Sequence, residues 1–200
     1  MRTMSTSLAV RLGPILHRYA PVSEEGLALV AEHATLRDLS RNEVLAQAGA
    51  TDMHEYFILE GVLHRSVLGQ EGEPLTSAFH VEGTVITPHF ARTRESRSLF
   101  TIEALTAVQL AAVPVADFDR LRYSNKDVQL FGMRVVEREL MESIQRSTAF
   151  RERSAADRLM ALRAEFPGLE NRVPHMAIAS FLGITTVSFS RLRGELARKG

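Results

Sequence analysis

The densest set of side chains able to do chemistry lies near the C-terminal end of the 200-residue chain, in VPHMAIASFLGITTVSFSRLRGELARK, Val173 to Lys199. Pro174 fits the first turn of a helix, and Met176, Ile178, Ala179 and Leu182 would give that helix an apolar face. Gly183 supplies the left-handed residue that ends a helix most easily, Ile184 packs inward, and Thr185 offers a hydroxyl N-cap to a second helix. On the second helix Val187, Leu192 and Leu196 are candidates for the buried side. Hydroxyl and guanidinium groups at the start of such a helix suit double-stranded DNA. Thr185 and Ser188 can bond phosphates, and Arg191 can fork onto a guanine edge or hold a phosphate. The DNA-facing candidates are Thr185, Thr186, Val187, Ser188, Ser190, Arg191 and Arg193, with Val187 claimed by both faces. Helix, tight glycine turn and arginine-bearing second helix form a helix-turn-helix pattern. A plain helical hairpin with exposed arginines is the alternative.

Charge supports the first reading. The chain holds 24 basic and 24 acidic residues, so its net charge is zero with histidine neutral. Residues 151–200 carry nine bases and five acids, a net +4, and the first 150 carry 15 bases and 19 acids, a net −4. A basic end on a mildly acidic body removes the objection that a neutral chain cannot hold a polyanion. There is no cysteine, which excludes disulfides, cysteine-held zinc, iron–sulfur clusters and cysteine nucleophiles. No apolar run reaches the ~18 residues of a membrane span, and no apolar stretch follows the start. The expectation is a cytoplasmic protein without membrane contact.

The elements that must position this end fall into three regimes. Leu8 to Tyr19 and the segment after Ser23 are expected as helices, with Pro14 near the start of the first or marking a break in it. From Ala34 to Val113, short apolar segments alternate with turn residues every eight to twelve positions, which predicts a sandwich or small barrel. Val115 to Leu121 is a short helix. Lys126 to about Phe150 is a long one with two apolar stripes, Val128, Phe131, Val135 and Met133, Val136, Leu140, Ile144. One stripe can lie on the strand unit, and the simplest cover for the other is a second copy of the same helix. Ser154 with Asp157 three residues on predicts a capped helix that stops at Phe166-Pro167-Gly168.

The C-terminal stretch resembles the Crp/Fnr superfamily of bacterial transcription regulators. The match runs through Ala156, Arg158, Leu159, Leu162, Phe166-Pro167, Leu169 and Arg172-Val173-Pro174. It continues through Ile178 to Thr185 and Ser190-Arg191-Leu192-Arg193. The strand half agrees more loosely, in order and in the glycine turns Gly61 and Gly83. The resemblance implies an α+β fold: an N-terminal double-stranded β-roll of the cyclic-nucleotide-binding type (residues 1–120, with the N-terminal helices), a long dimerisation helix (121–150) and a winged-helix-like helix-turn-helix domain (151–200). It further implies a homodimer joined by the 126–150 helix, a recognition helix from about Thr185 to Ala197, double-stranded DNA and RNA polymerase as partners, and an unidentified small-molecule effector. The catabolite-activator type places arginine and glutamate where this chain has Thr186 and Val187, and its later arginine falls on Arg191. That operator therefore does not transfer.

The superfamily's nucleotide sensors hold a cyclic phosphate on a short helix start and one arginine. Here Pro88 stands where the ribose-binding glutamate is expected, and Arg97-Ser98 lies about one residue out of place. The effector candidates are Pro88, His89, Arg92, Arg97 and Ser98, and the expectation is no response to cyclic AMP. A cyclic-nucleotide-responsive regulator is one alternative, and a metal-dependent enzyme on a cupin-like β-roll is another. The latter needs paired histidines a residue apart, and no such pair exists among the seven histidines. A protein-interaction module that has lost DNA binding is a third. The expectation is a non-enzyme with no cofactor, no metal and no catalytic residue.

Overall fold

The alternating segments between Thr35 and Pro114 form strands, and the regular elements on either side are helical. The computed structural model describes residues 2–88, 93–95 and 97–199. Helices α1 (Arg2–His17) and α2 (Glu24–His33) precede ten strands: β1 (Thr35–Leu39), β2 (Val44–Ala46), β3 (His54–Glu60), β4 (Leu63–Leu68), β5 (Pro74–His80), β6 (Val85–Ile86), β7 (Thr93–Arg94), β8 (Arg97–Ser98), β9 (Thr101–Ala104) and β10 (Val108–Pro114). Then follow α3 (Val115–Ser124), α4 (Lys126–Glu152), α5 (Ala155–Glu165), a 3-10 turn (Leu169–Asn171), α6 (His175–Phe181) and α7 (Thr186–Lys199). Pro14 neither starts nor breaks α1 but sits inside it. It is exposed, as is Val10 one turn earlier, so the carbonyl that loses its partner lies on the water side.

Two antiparallel four-stranded sheets, ordered β1-β10-β3-β6 and β2-β9-β4-β5, face each other as a β-roll. Leu39, Tyr56, Ile58, Leu63, Ile86, Ile102 and Leu110 fill the space between them. The central strand β3 is buried on both sides. In register with β10, Tyr56 and Ile58 pair with Ala112 and Leu110 on the inner face. Phe57, opposite Ala111, points instead into a helical layer with Leu12, Leu16, Val30, Phe118 and Phe131. A strand covered on both faces reads as a continuous apolar run, which is why Tyr56-Phe57-Ile58-Leu59 shows no alternation. Gly61 turns β3 into β4 at φ 92°, where an added Cβ would collide with the Ala107 carbonyl and Val108.

Helix α4 carries the two stripes read from the sequence. Asn125 caps it, accepting from the Asp127 and Val128 amides. Val128, Phe131 and Val135 are buried against the helical layer, whereas Met133, Leu140 and Ile144 are about half exposed. Among the described residues no strand follows β10, and the elements after it are helical. No helix among them is long and apolar enough to cross a membrane.

Candidate nucleic-acid interface

A third core holds the C-terminal helices together. Leu159 and Leu162 of α5, Leu169, Val173, Ala177, Ile178, Ala179, Leu182 and Phe189 are buried in it, joined by Val62, Phe79 and Leu105 from the roll. Ser154 caps α5 through a reciprocal pair with Asp157, and those hydrogen bonds hold the Asp157 carboxyl below its ordinary value. Two sequence assignments change. Met176 is 63% exposed, and its place on the buried face of α6 goes to Ala177. Val187 is 59% exposed, and the side of α7 that packs inward is Phe189 with Leu192 and Leu196. The spacing explains it: Phe189, Leu192 and Leu196 recur at three and four, whereas Val187 to Leu192 is five.

The turn between α6 and α7 is built as the residues suggest. Gly183 has φ 65°, and the Thr185 hydroxyl accepts from the Ser188 amide at 3.1 Å. Arg158 completes it from α5. Its Nε and Nη2 donate to the buried Leu182 carbonyl at 3.1 and 2.9 Å, its Nη1 donates to the Arg153 carbonyl, and its guanidinium lies over the Phe150 ring. This ties off the C-terminus of α6 and fixes the approach of α7.

The candidate residues then separate. Thr186, Val187, Ser190 and Arg191 are exposed on α7, and Arg191 has no hydrogen bond or ion pair among the described residues. Ser188 is exposed but its hydroxyl accepts from Thr185 at 3.0 Å. Arg193 folds back: its Nε pairs with Glu170 at 3.1 Å, its Nη1 reaches His175, and it covers the Phe189 ring. Glu170 also holds Arg163 at 2.6 Å. Arg193 thus fastens α7 to the 3-10 turn and the start of α6.

The helix-turn-helix is also fastened to the roll. The Ser180 hydroxyl of α6 accepts from the Thr76 amide of β5 at 2.9 Å and donates to the Pro74 carbonyl. Phe79 of β5 contacts the rings of Phe166 and Phe181. Glu82 accepts from the Gly61 amide and pairs with Arg172. Burial opposes ionisation of Glu82, but these partners hold its carboxyl below the ordinary value. The edge of the roll and α6 are therefore parts of one hydrogen-bonded assembly.

A buried ion pair joins the roll to α4. Arg65 of β4 donates to Glu139 at 2.6 Å, with side chains only 9% and 12% exposed. Burial alone would raise the Glu139 carboxyl, but Arg65 and His80 outweigh it and hold it low. Beyond this pair, a groove of about 680 Å³ separates α4 from α5 and α6. Glu165 lines it, its carboxyl pushed up by burial and by neighbouring Glu142.

The effector candidates are only partly visible. His89 and Arg92 lie outside the described residues. Pro88 is buried, beside Thr87, whose hydroxyl donates to Glu55 at 2.8 Å. Arg97 is exposed and donates to the Gly49 carbonyl at 2.8 Å, and the buried Ser98 hydroxyl donates to the Phe100 carbonyl at 2.6 Å. Those two side chains therefore serve the backbones of different loops. Among the described residues no three histidine or carboxylate groups gather as metal ligands.

No family model matches the sequence. The chain is 23% identical over 171 residues to the global nitrogen regulator of Nostoc sp. strain PCC 7120, covering 80% of this chain and 77% of that one. The structure of FixK2 from Bradyrhizobium japonicum superposes with a TM-score of 0.71 at 18% identity, covering 84% of this chain and 86% of that one. A Crp/Fnr-family transcriptional regulator from Thermus thermophilus superposes with a TM-score of 0.65 at 19% identity, covering 83% and 87%. The fold of the chain is the one these proteins share.

Proposed function

We propose that the chain is a DNA-binding transcription regulator of the Crp/Fnr type, acting as a homodimer on a near-palindromic site. The observation that carries this is α7. Its buried side is fixed by Phe189, and its exposed surface presents Thr186, Val187, Ser190 and an unengaged Arg191 within the first two turns. Those are the turns that reach base edges when a recognition helix enters the major groove. The net +4 of residues 151–200 is doubled in a dimer and adds a salt-dependent attraction to phosphate.

Residues 1–120 act as the sensor, 121–150 as the dimerisation segment and 151–200 as the reader. The half-exposed stripe of Met133, Leu140 and Ile144 supports pairing along α4, because it lies opposite the face that Phe131 and Val135 bury. The effector is a ligand other than cyclic AMP, the cofactor set is empty, and the protein is cytoplasmic and not an enzyme. RNA polymerase is the partner through which bound protein alters transcription.

The test is an electrophoretic shift titration against a selected site and against random DNA. Arg191→Ala is expected to weaken the selected complex by ~1–3 kcal/mol per half-site and to relax preference at one base pair. Equal affinity and equal preference for wild type and variant would count decisively against the role of α7.

A further inference from the structure

The face of α7 opposite its buried side carries an apolar residue where polar ones would be expected. At ~100° per residue, Val187 and Arg191 each fall about 160° from Phe189, on either side, and so lie about 40° apart on the outermost line of the helix. Val187 is 59% exposed, and no apolar cluster among the described residues includes it. A β-branched side chain loses χ1 freedom in a helix, and here no burial within the chain compensates it. Of the hydroxyls near it, Thr185 and Ser188 bond each other, while Thr186 and Ser190 are exposed. The Val187 side chain itself offers two methyl groups and no hydrogen-bonding atom.

We propose that Val187 makes α7 a thymine reader, and this rests on the DNA-binding reading above. The major groove presents one apolar feature, the C5-methyl of thymine. Every other base edge there offers a donor or acceptor that a valine would strip of water without replacing the bond. Arg191 sits one turn further along the same line, with its five donors unengaged, and takes the N7 and O6 acceptors of a guanine. One helical turn rises ~5.4 Å against ~3.4 Å per base step, so the two bases lie about one or two steps apart. The half-site therefore contains a thymine within two positions of a guanine, the thymine recognised by its methyl group alone.

The experiment selects sites for the full-length protein from a random DNA pool, then replaces single thymines by deoxyuridine and single guanines by 7-deazaguanine. Loss of the N7 acceptor at one position, felt by wild type and not by Arg191→Ala, locates the guanine. Removing one buried methyl is expected to weaken binding about fourfold at one neighbouring thymine, and by about the square of that when both half-sites are changed. Val187→Ala should bind thymine and deoxyuridine versions equally at that position and keep wild-type sensitivity elsewhere. Val187→Ala carries no charge change, so its salt dependence should match wild type. Selected half-sites with no thymine near the guanine would overturn the proposal, as would a deoxyuridine penalty that persists in Val187→Ala. If wild type selects no site and shows no salt-dependent shift, the DNA-binding reading itself fails, a result distinct from a site bound without methyl recognition.

Discussion

Replacing Glu139 with leucine should destabilise the protein far more than replacing both members of its ion pair. Arg65 and Glu139 meet at 2.6 Å with side chains 9% and 12% exposed. Without Glu139, the Arg65 guanidinium keeps, among the described residues, only the Ser77 hydroxyl at 3.3 Å and the Phe100 ring face at 4.7 Å. An uncompensated buried charge of this kind costs ~3–5 kcal/mol, a large share of the ~5–15 kcal/mol that holds a domain folded. Arg65→Met should cost less, because His80 and Arg146 still face Glu139. The double variant Arg65→Met/Glu139→Leu removes both desolvation costs and should return to within ~1 kcal/mol of wild type, or exceed it. Urea titrations followed by circular dichroism on the four proteins at pH 7 give the coupling. The pH dependence has a defined sign. The folded-state carboxyl titrates below its unfolded value of ~4.3, so its contribution is complete above that value and is lost as pH falls through the folded one. The gap between wild type and Glu139→Leu should be flat from about pH 6 to 8 and shrink in acid. A Glu139→Leu cost under ~1 kcal/mol, or strictly additive single variants, would refute the reasoning.

Two further perturbations probe the scaffold. Leu140→Arg places charge in the half-exposed stripe of α4 and should shift sedimentation from dimer to monomer while leaving the far-ultraviolet spectrum unchanged. An unshifted sedimentation profile would argue against pairing along that stripe. Gly61→Ala combines a positive φ with a clash against the Ala107 carbonyl, so a loss of more than ~1 kcal/mol is expected in thermal or urea unfolding. A neutral result would mean that the β3–β4 turn can rearrange.

Local signals carried most of the C-terminal unit into the sequence reading. The capping box at Ser154, the left-handed Gly183 and the Thr185 cap each depend on residues three or fewer positions apart, and each is present as expected. Non-local partners were not legible. Arg158 bonds a carbonyl 24 positions away, and Ser180 bonds a strand 104 positions away; nothing in a hydroxyl or guanidinium announces such a mate. In β3 the apolar run hides which side chains enter the roll and which the helical layer, because only the tertiary cover distinguishes Tyr56 from Phe57. At Val187 and Met176 the period was available. Phe189 marks the inward line of α7, and small Ala177 marks that of α6 but carries little weight in an apolar count.

The absence of cysteine makes the central claim open to a direct measurement. Glu195→Cys gives one exposed attachment point on α7, one turn beyond Arg191, for an iron–EDTA chelate. If α7 of each protomer lies in the major groove of a two-fold site, strand cleavage should fall in two clusters centred about one helical turn apart, roughly 34–36 Å along the duplex. A single cluster, or cleavage no different from free chelate, would contradict the account.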